Sequence, residues 1–134
     1  VARKILRVFF MSKIIINHEV ISSDEKLSLT NKKGLKKDNE ISYYDDGVYV
    51  VVKVLKNKIL LTRENNEVKI NLEFEKNKNL VTQYVIKDMG LKVKLETKTR
   101  QIIIKDKNIY VSYDLFMNDS FSDSFTYKLE WRDL

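Results

Sequence analysis

EVKINLEFE, residues 67–75, puts Val68, Ile70, Leu72 and Phe74 in one phase of a two-residue period and Lys69, Asn71, Glu73 and Glu75 in the other. Successive side chains of an extended chain point to opposite faces, so the stretch reads as a β-strand with one dry and one wet face. The same alternation recurs along the chain. SKIIINHEVI places Ile14, Ile16, His18 and Val20 together; NIYVSYDLFM does so for Ile109, Val111, Tyr113, Leu115 and Met117; SFTYKLEWR sets Phe125, Tyr127, Leu129 and Trp131 against Thr126, Lys128, Glu130 and Arg132. Helical periodicity is almost absent. Strands wet on one face are the mark of an antiparallel sheet.

Short turn signals separate these strands: Asp45-Asp46-Gly47, Asn57-Lys58, Asn65-Asn66, Asn77-Lys78-Asn79, Met89-Gly90, Asp106-Lys107-Asn108 and Asn118-Asp119-Ser120. Connections this short make sequence neighbours into spatial neighbours, which gives a meander of hairpins. Eight to ten strands with no second layer to cover them are best stabilised by closing the sheet on itself, because closure removes both unpaired edges. The fold class is therefore all-β, an antiparallel up-and-down β-barrel of 8–10 strands, with a two-sheet sandwich as the second choice. GVYVVVKVL (47–55) is apolar in both phases apart from Lys53, so it is expected to be covered on both sides or to lie at a closure seam. NKKGLKKDN (31–39) is polar and lysine-rich and reads as a mobile connection.

The 134 residues make one domain of common size. Residues 11–134 form that domain, and residues 1–10, VARKILRVFF, are expected to be a non-native or disordered leader ahead of Met11; a short basic amphipathic anchor is the alternative. There is no cysteine, so neither a disulfide nor a thiolate metal site is possible, and a reducing cytoplasm is the expected location. With His18 as the one histidine, no histidine cluster for zinc or iron can be built. No cofactor, metal or membrane span is expected, and a non-catalytic protein is preferred to an enzyme.

The net charge of +6 invites a nucleic-acid reading, which we discount at this level: only five of the 25 basic residues are arginine, and the lysine excess accompanies abundant Asn and Ile, as AT-rich codons would give. Single-strand binding also wants aromatic side chains between the cations. KVKLETKTR (92–100) turns Lys92, Lys94, Glu96, Lys98 and Arg100 outward with none between them, so it reads as a solvated face.

From about residue 40 the order of features resembles a family of small bacterial proteins of unknown function, the YwiB-like family or domain of unknown function 1934. The features are ISYYDD, GVYVVVKV, ILLTREN with Arg63, EVKINLEFEKNK, YVIKDMG, LKVKLETKTR, NIYVSYDLFMND and FTYKLEW. Where the family tends to carry glycine after the arginine, this chain has Asn65, which can take up a left-handed turn. The resemblance implies a calycin-like, lipocalin-like barrel and no known activity.

Arg63 is the residue of most interest. In KILLTRE it shares the phase of Ile59 and Leu61 and so points into the barrel or its mouth. Inside, a guanidinium needs either an internal carboxylate, with Asp123 as the inward-leaning partner, or a bound carboxylate or phosphate. His18, Tyr43, Tyr84, Thr97, Thr99, Tyr113 and Tyr127 are the other inward polar groups. The candidate ligand-binding set is Arg63, Tyr84, Thr97, Tyr113, Tyr127 and His18, for a small amphiphilic or anionic ligand in the barrel. The alternative is an interaction module, possibly a homodimer, using outward apolar residues Tyr49, Val51, Leu55, Tyr110 and Phe116. Adjacent Asp45 and Asp46 point to opposite faces and form no metal pair; Asp-Asp-Gly is a hairpin turn.

Overall fold

The computed structural model describes residues 11–134; the leader expected at 1–10 lies outside the described residues. Ten strands follow one another: β1 (Met11–Ile21), β2 (Lys26–Lys37), β3 (Glu40–Asp45), β4 (Val48–Val54), β5 (Ile59–Glu64), β6 (Val68–Phe74), β7 (Asn79–Ile86), β8 (Leu91–Lys105), β9 (Asn108–Met117) and β10 (Ser120–Asp133). Each pairs antiparallel with its sequence neighbours, and β1 pairs with β10 from Ile14↔Asp133 to Ile21↔Thr126, which closes an up-and-down barrel. Among the described residues every strand thus has a partner on each side, although β6 and β7 pair only from Val68↔Ile86 to Ile70↔Tyr84 and part below that level. Among the described residues no helix is long and apolar enough to cross a membrane.

The inward phases read from the sequence are the buried ones over the middle of the strands, while Met117, at the end of β9, is exposed. Ile14, Ile16, Val50, Val52, Ile59, Phe74, Ile109, Val111 and Leu129 are all at most 2% exposed. On β8 the phases also hold, with Leu95, Thr97 and Thr99 buried while Lys92, Lys94, Lys98 and Arg100 stay exposed. Hairpin tips take the left-handed conformations their residues favour. Asp46 and Gly47 both have positive φ, as do Asn118 and Asp119, the pattern of a two-residue turn that matches strand twist. Asn65 works differently from the expectation. Its φ is not positive; its side-chain Oδ1 instead accepts hydrogen bonds from the Glu67 and Val68 backbone N–H groups at 2.8 and 2.9 Å, closing the turn as an Asx motif.

Two expectations are corrected. Residues 31–37 belong to strand β2, paired with β1 through Ile14↔Gly34 and Lys13↔Leu35 and with β3 through Gly34↔Tyr43. Lysine, asparagine and glycine are depleted in strands, so local preference hid a segment that pairing on both sides holds. Gly34 suits that place, because a Cβ there would lie 2.8 Å from the Ser42 carbonyl oxygen. The second correction concerns β4, which is dry on one side only. Val50 and Val52 are buried, Tyr49 and Lys53 are exposed, and β4 sits between β3 and β5, away from the β1–β10 closure.

Candidate functional site

The hairpins at 22–25, 46–47, 65–67, 87–90 and 118–119 surround one end of the barrel, here its upper mouth. The inward residues nearest this end, Val20, Leu29, Ile70, Tyr84, Leu115 and Phe125, are half-buried and pack on the core below. Deeper, the interior is filled by side chains, the usual outcome for a barrel this narrow.

Arg63 lies at that upper level, opposite Val50 on β4 and Ile70 on β6. Its Nη2 donates to Asp45 Oδ2 at 2.9 Å, and the two side chains are 28% and 23% exposed. The partner is Asp45, not Asp123. Asp123 points to the mouth from β10, on the far wall, where it accepts hydrogen bonds from Ser23 Oγ and from the Ser124 N–H. The expected hairpin at Asp45-Asp46-Gly47 is present, with Asp46 on the turn and Asp45 facing inward in the phase of Ile41 and Tyr43.

Below the ion pair runs a buried chain of polar groups. His18 Nε2 is 3.7 Å from the same Asp45 oxygen, His18 Nδ1 is 2.8 Å from the Tyr43 hydroxyl, and that hydroxyl is 2.7 Å from the Tyr127 hydroxyl. The residues come from β1, β3 and β10. A bulge between Ile16 and His18 in the β1–β2 pairing adjusts the strand just where His18 enters the chain. His18, Tyr43 and Tyr127 are each under 5% exposed, and the imidazole meets both tyrosine rings edge-on. Burial without bonding would be costly for these groups, and the two hydrogen bonds among them offset much of that cost.

The electrostatics follow from burial. Desolvation lowers the His18 pKa from its ordinary 6.5, opposed by the Asp45 carboxylate and reinforced by Arg63. Desolvation raises the phenol pKa values of Tyr43, Tyr113 and Tyr127, against the pull of the Arg63 charge on each. All four groups are therefore neutral near pH 7. Because His18 binds its proton less readily folded than unfolded, stability is expected to fall as pH drops below about 6.5 and to level off below the folded-state pKa. The tyrosines act at the other end: the unfolded chain ionises near pH 10 while the folded one resists, so stability falls as pH rises past that point. Each titrating group adds up to about 1.4 kcal/mol per pH unit within its window. Urea unfolding across pH 5 to 11 checks both limbs; replacing His18 removes its share of the acid limb and leaves the tyrosines' alkaline limb in place.

The six candidate ligand residues separate by depth. Arg63 and Tyr84 are half-buried at the mouth. Tyr113 stacks on Phe125 at 5.5 Å and touches Phe74 at 4.5 Å; Thr97 Oγ1 donates to the Glu73 carbonyl; His18 and Tyr127 belong to the buried polar chain. The inner four are thus parts of a packed interior. Thr99 Oγ1 is buried with no hydrogen-bond partner among the described residues. No group of three or more His, Asp or Glu side chains that could hold a metal ion occurs among the described residues. The outward apolar candidates do not form one patch. Tyr49, Val51 and Leu55 lie on and after β4, Tyr110 and Phe116 on β9, and of the five only Tyr49 is exposed.

A closed ten-stranded meander, packed below and carrying a charged pair at an apolar mouth, places the chain among small antiparallel β-barrel proteins. It belongs to the family described as Domain of unknown function (DUF1934), whose model matches residues 17–129, as the ordered sequence features implied. Its fold is similar to that of the ywiB protein from Bacillus subtilis, seen in a crystal structure, with a TM-score of 0.63 and 22% identity over 90% of this chain and 92% of that one. A comparison with curated proteins finds no match.

Proposed function

We propose that the protein is a non-catalytic binding protein that takes a small anionic amphiphile at the upper mouth of the barrel. One observation carries this reading: Arg63 is only partly covered and held by a single carboxylate, Asp45, in a ring of half-buried apolar side chains. A guanidinium has donors beyond those one carboxylate uses, so a second carboxylate or a phosphate can be met by its remaining N–H groups while an apolar tail lies against Ile70, Tyr84 and Phe125. The deeper polar chain stands beneath Asp45, with His18 Nε2 3.7 Å from its carboxylate oxygen. A non-catalytic role fits the same arrangement, since the one imidazole is buried, bonded to Tyr43 and held neutral.

The test is native mass spectrometry of the protein purified from the cell that encodes it, compared with its denatured mass. A small-molecule adduct is expected on the native species, lost on Arg63→Ala and retained in part on Arg63→Lys, which keeps the charge without the fork. A bare monomer overturns the reading, and an adduct that survives Arg63→Ala moves the site elsewhere. A bare dimer favours the interaction module.

A further inference from the structure

The outer wall of β1 to β4 brings together what KVKLETKTR lacks, cations with aromatic side chains between them. Pairing register lays the outward residues in rows across the strands. In one row Arg132 stands opposite Ile15, Ile15 opposite Lys33, and Tyr44 opposite Tyr49. Gly34 pairs with Tyr43, so one step along both strands sets Lys33 beside Tyr44 and joins the row. The next row holds Lys13, Leu35, Ser42 and Val51, and the third Met11, Lys37, Glu40 and Lys53. Five cations, Lys13, Lys33, Lys37, Lys53 and Arg132, face one carboxylate, Glu40.

Two features mark this wall. The first is that none of the five cations makes an ion pair among the described residues, unlike Lys58, Lys87, Lys94 and Lys107, which pair with Glu73, Glu64, Asp119 and Asp133, though Lys92 and Lys98 on β8 are also without one. The second is the tyrosine pair. Tyr44 and Tyr49 are 64% and 40% exposed, with ring centroids 5.1 Å apart, and lie in line with Lys33.

We infer that this wall binds single-stranded nucleic acid, the lysines meeting phosphates and the two tyrosine rings stacking with unpaired bases. Unpaired cations release the counterions of a polyanion when they meet its phosphates, and a ring face accepts any base without sequence preference. A duplex hides its base faces and would leave the tyrosines unused. An anionic bilayer would attract the same lysines but offers the two tyrosine rings no unpaired base to stack on. Four strand spacings separate Arg132 from Tyr49, about 19 Å at roughly 4.8 Å each. That length suits the lower end of single-strand sites, about four nucleotides.

Fluorescence anisotropy of a labelled oligouridylate of about 12 nucleotides, titrated with the full chain at low and rising salt, tests the assignment. Binding is expected at low salt, with the slope of log affinity against log salt reduced by about 0.7 for each of Lys13, Lys33 and Lys37 changed to alanine. Tyr44→Ala and Tyr49→Ala each weaken binding roughly fivefold or more, and Tyr44→Phe, which keeps the ring, binds like the parent. Lys92→Ala with Lys98→Ala removes two exposed cations from β8, a wall without interleaved rings, and leaves affinity within about twofold. All these positions are on the outer surface, and unchanged melting confirms that each variant folds. Absence of binding at low salt overturns the proposal. So does equal weakening by the β8 variant, indifference to both tyrosines, or binding to anionic phospholipid vesicles with none to the oligonucleotide.

Discussion

Replacing Phe74 by alanine is expected to cost about 3–5 kcal/mol of stability, the largest effect of any single truncation in this barrel. Phe74 is fully buried, the bulkiest of the wholly enclosed side chains, and its ring lies 4.5 Å from that of Tyr113 at a 48° tilt. It also pairs in register with Ile59, itself fully buried. Removing the ring therefore opens a cavity beside Ile59 and Tyr113, and the pairing of β6 with β5 from Ile59↔Phe74 to Glu64↔Lys69 holds the backbone there in place. The midpoint of thermal unfolding should drop by on the order of 10 °C. Phe121→Ala is the control, because Phe121 is 60% exposed and its truncation should cost no more than about 0.5 kcal/mol. The pair of measurements tests the phase assignment directly: comparable costs at the two positions would mean that the inward face of β6 has been misidentified.

That face was legible because alternation specifies it in the amino-acid sequence. The same alternation marks most of β1, β8, β9 and β10, although Ile15 and Ile103 interrupt it, and each hairpin carries residues suited to its tip. β2 was not legible. Its apolar residues are few and its inward position 34 is glycine, so nothing in NKKGLKKDN advertises a strand; pairing with β1 and β3 holds it. The site shows a different limit. Phase says which way a side chain points but not its height in the barrel or which wall it stands on. Arg63 was rightly turned inward, yet Asp123 and Asp45 were equally inward by phase. Register decides between them. Tyr43 pairs with Val50 and Val50 with Arg63, so Asp45 stands two strands from Arg63 on the same wall and near the same level. Asp123 stands on β10 beyond a bulge that shifts its register between Phe121 and Asp123. The polar chain and the basic wall share this origin. His18, Tyr43 and Tyr127 were each visible as inward polar residues, as Tyr49 was among outward apolar ones, but their partners come from strands far apart in sequence.

Tyr43→Phe is expected to cost more than any other hydroxyl deletion, about 2–4 kcal/mol, because the Tyr43 oxygen is the middle link of the buried chain. His18 Nδ1 at 2.8 Å and the Tyr127 hydroxyl at 2.7 Å both depend on it, and each buried group left without a partner costs roughly 1–3 kcal/mol. Tyr127→Phe removes an end of the chain instead. Tyr43 then keeps His18 as a partner, and the cost should be nearer 1 kcal/mol. The double variant is expected to be little worse than Tyr43→Phe alone, since once the Tyr127 oxygen is gone there is no orphan to penalise; such neighbours are strongly non-additive. Urea unfolding of the parent, both single variants and the double variant closes the cycle. Costs that simply add would show that the two hydroxyls do not depend on each other. A larger cost at Tyr127 than at Tyr43 would place the middle of the chain on β10. The same series bears on the mouth, because His18 is what stands between Tyr43 and the Asp45 carboxylate that holds Arg63. Without the Tyr43 hydroxyl to anchor its Nδ1, the imidazole is freer to turn, so Tyr43→Phe should weaken retention of any ligand held by Arg63 although Tyr43 is itself out of reach of the solvent.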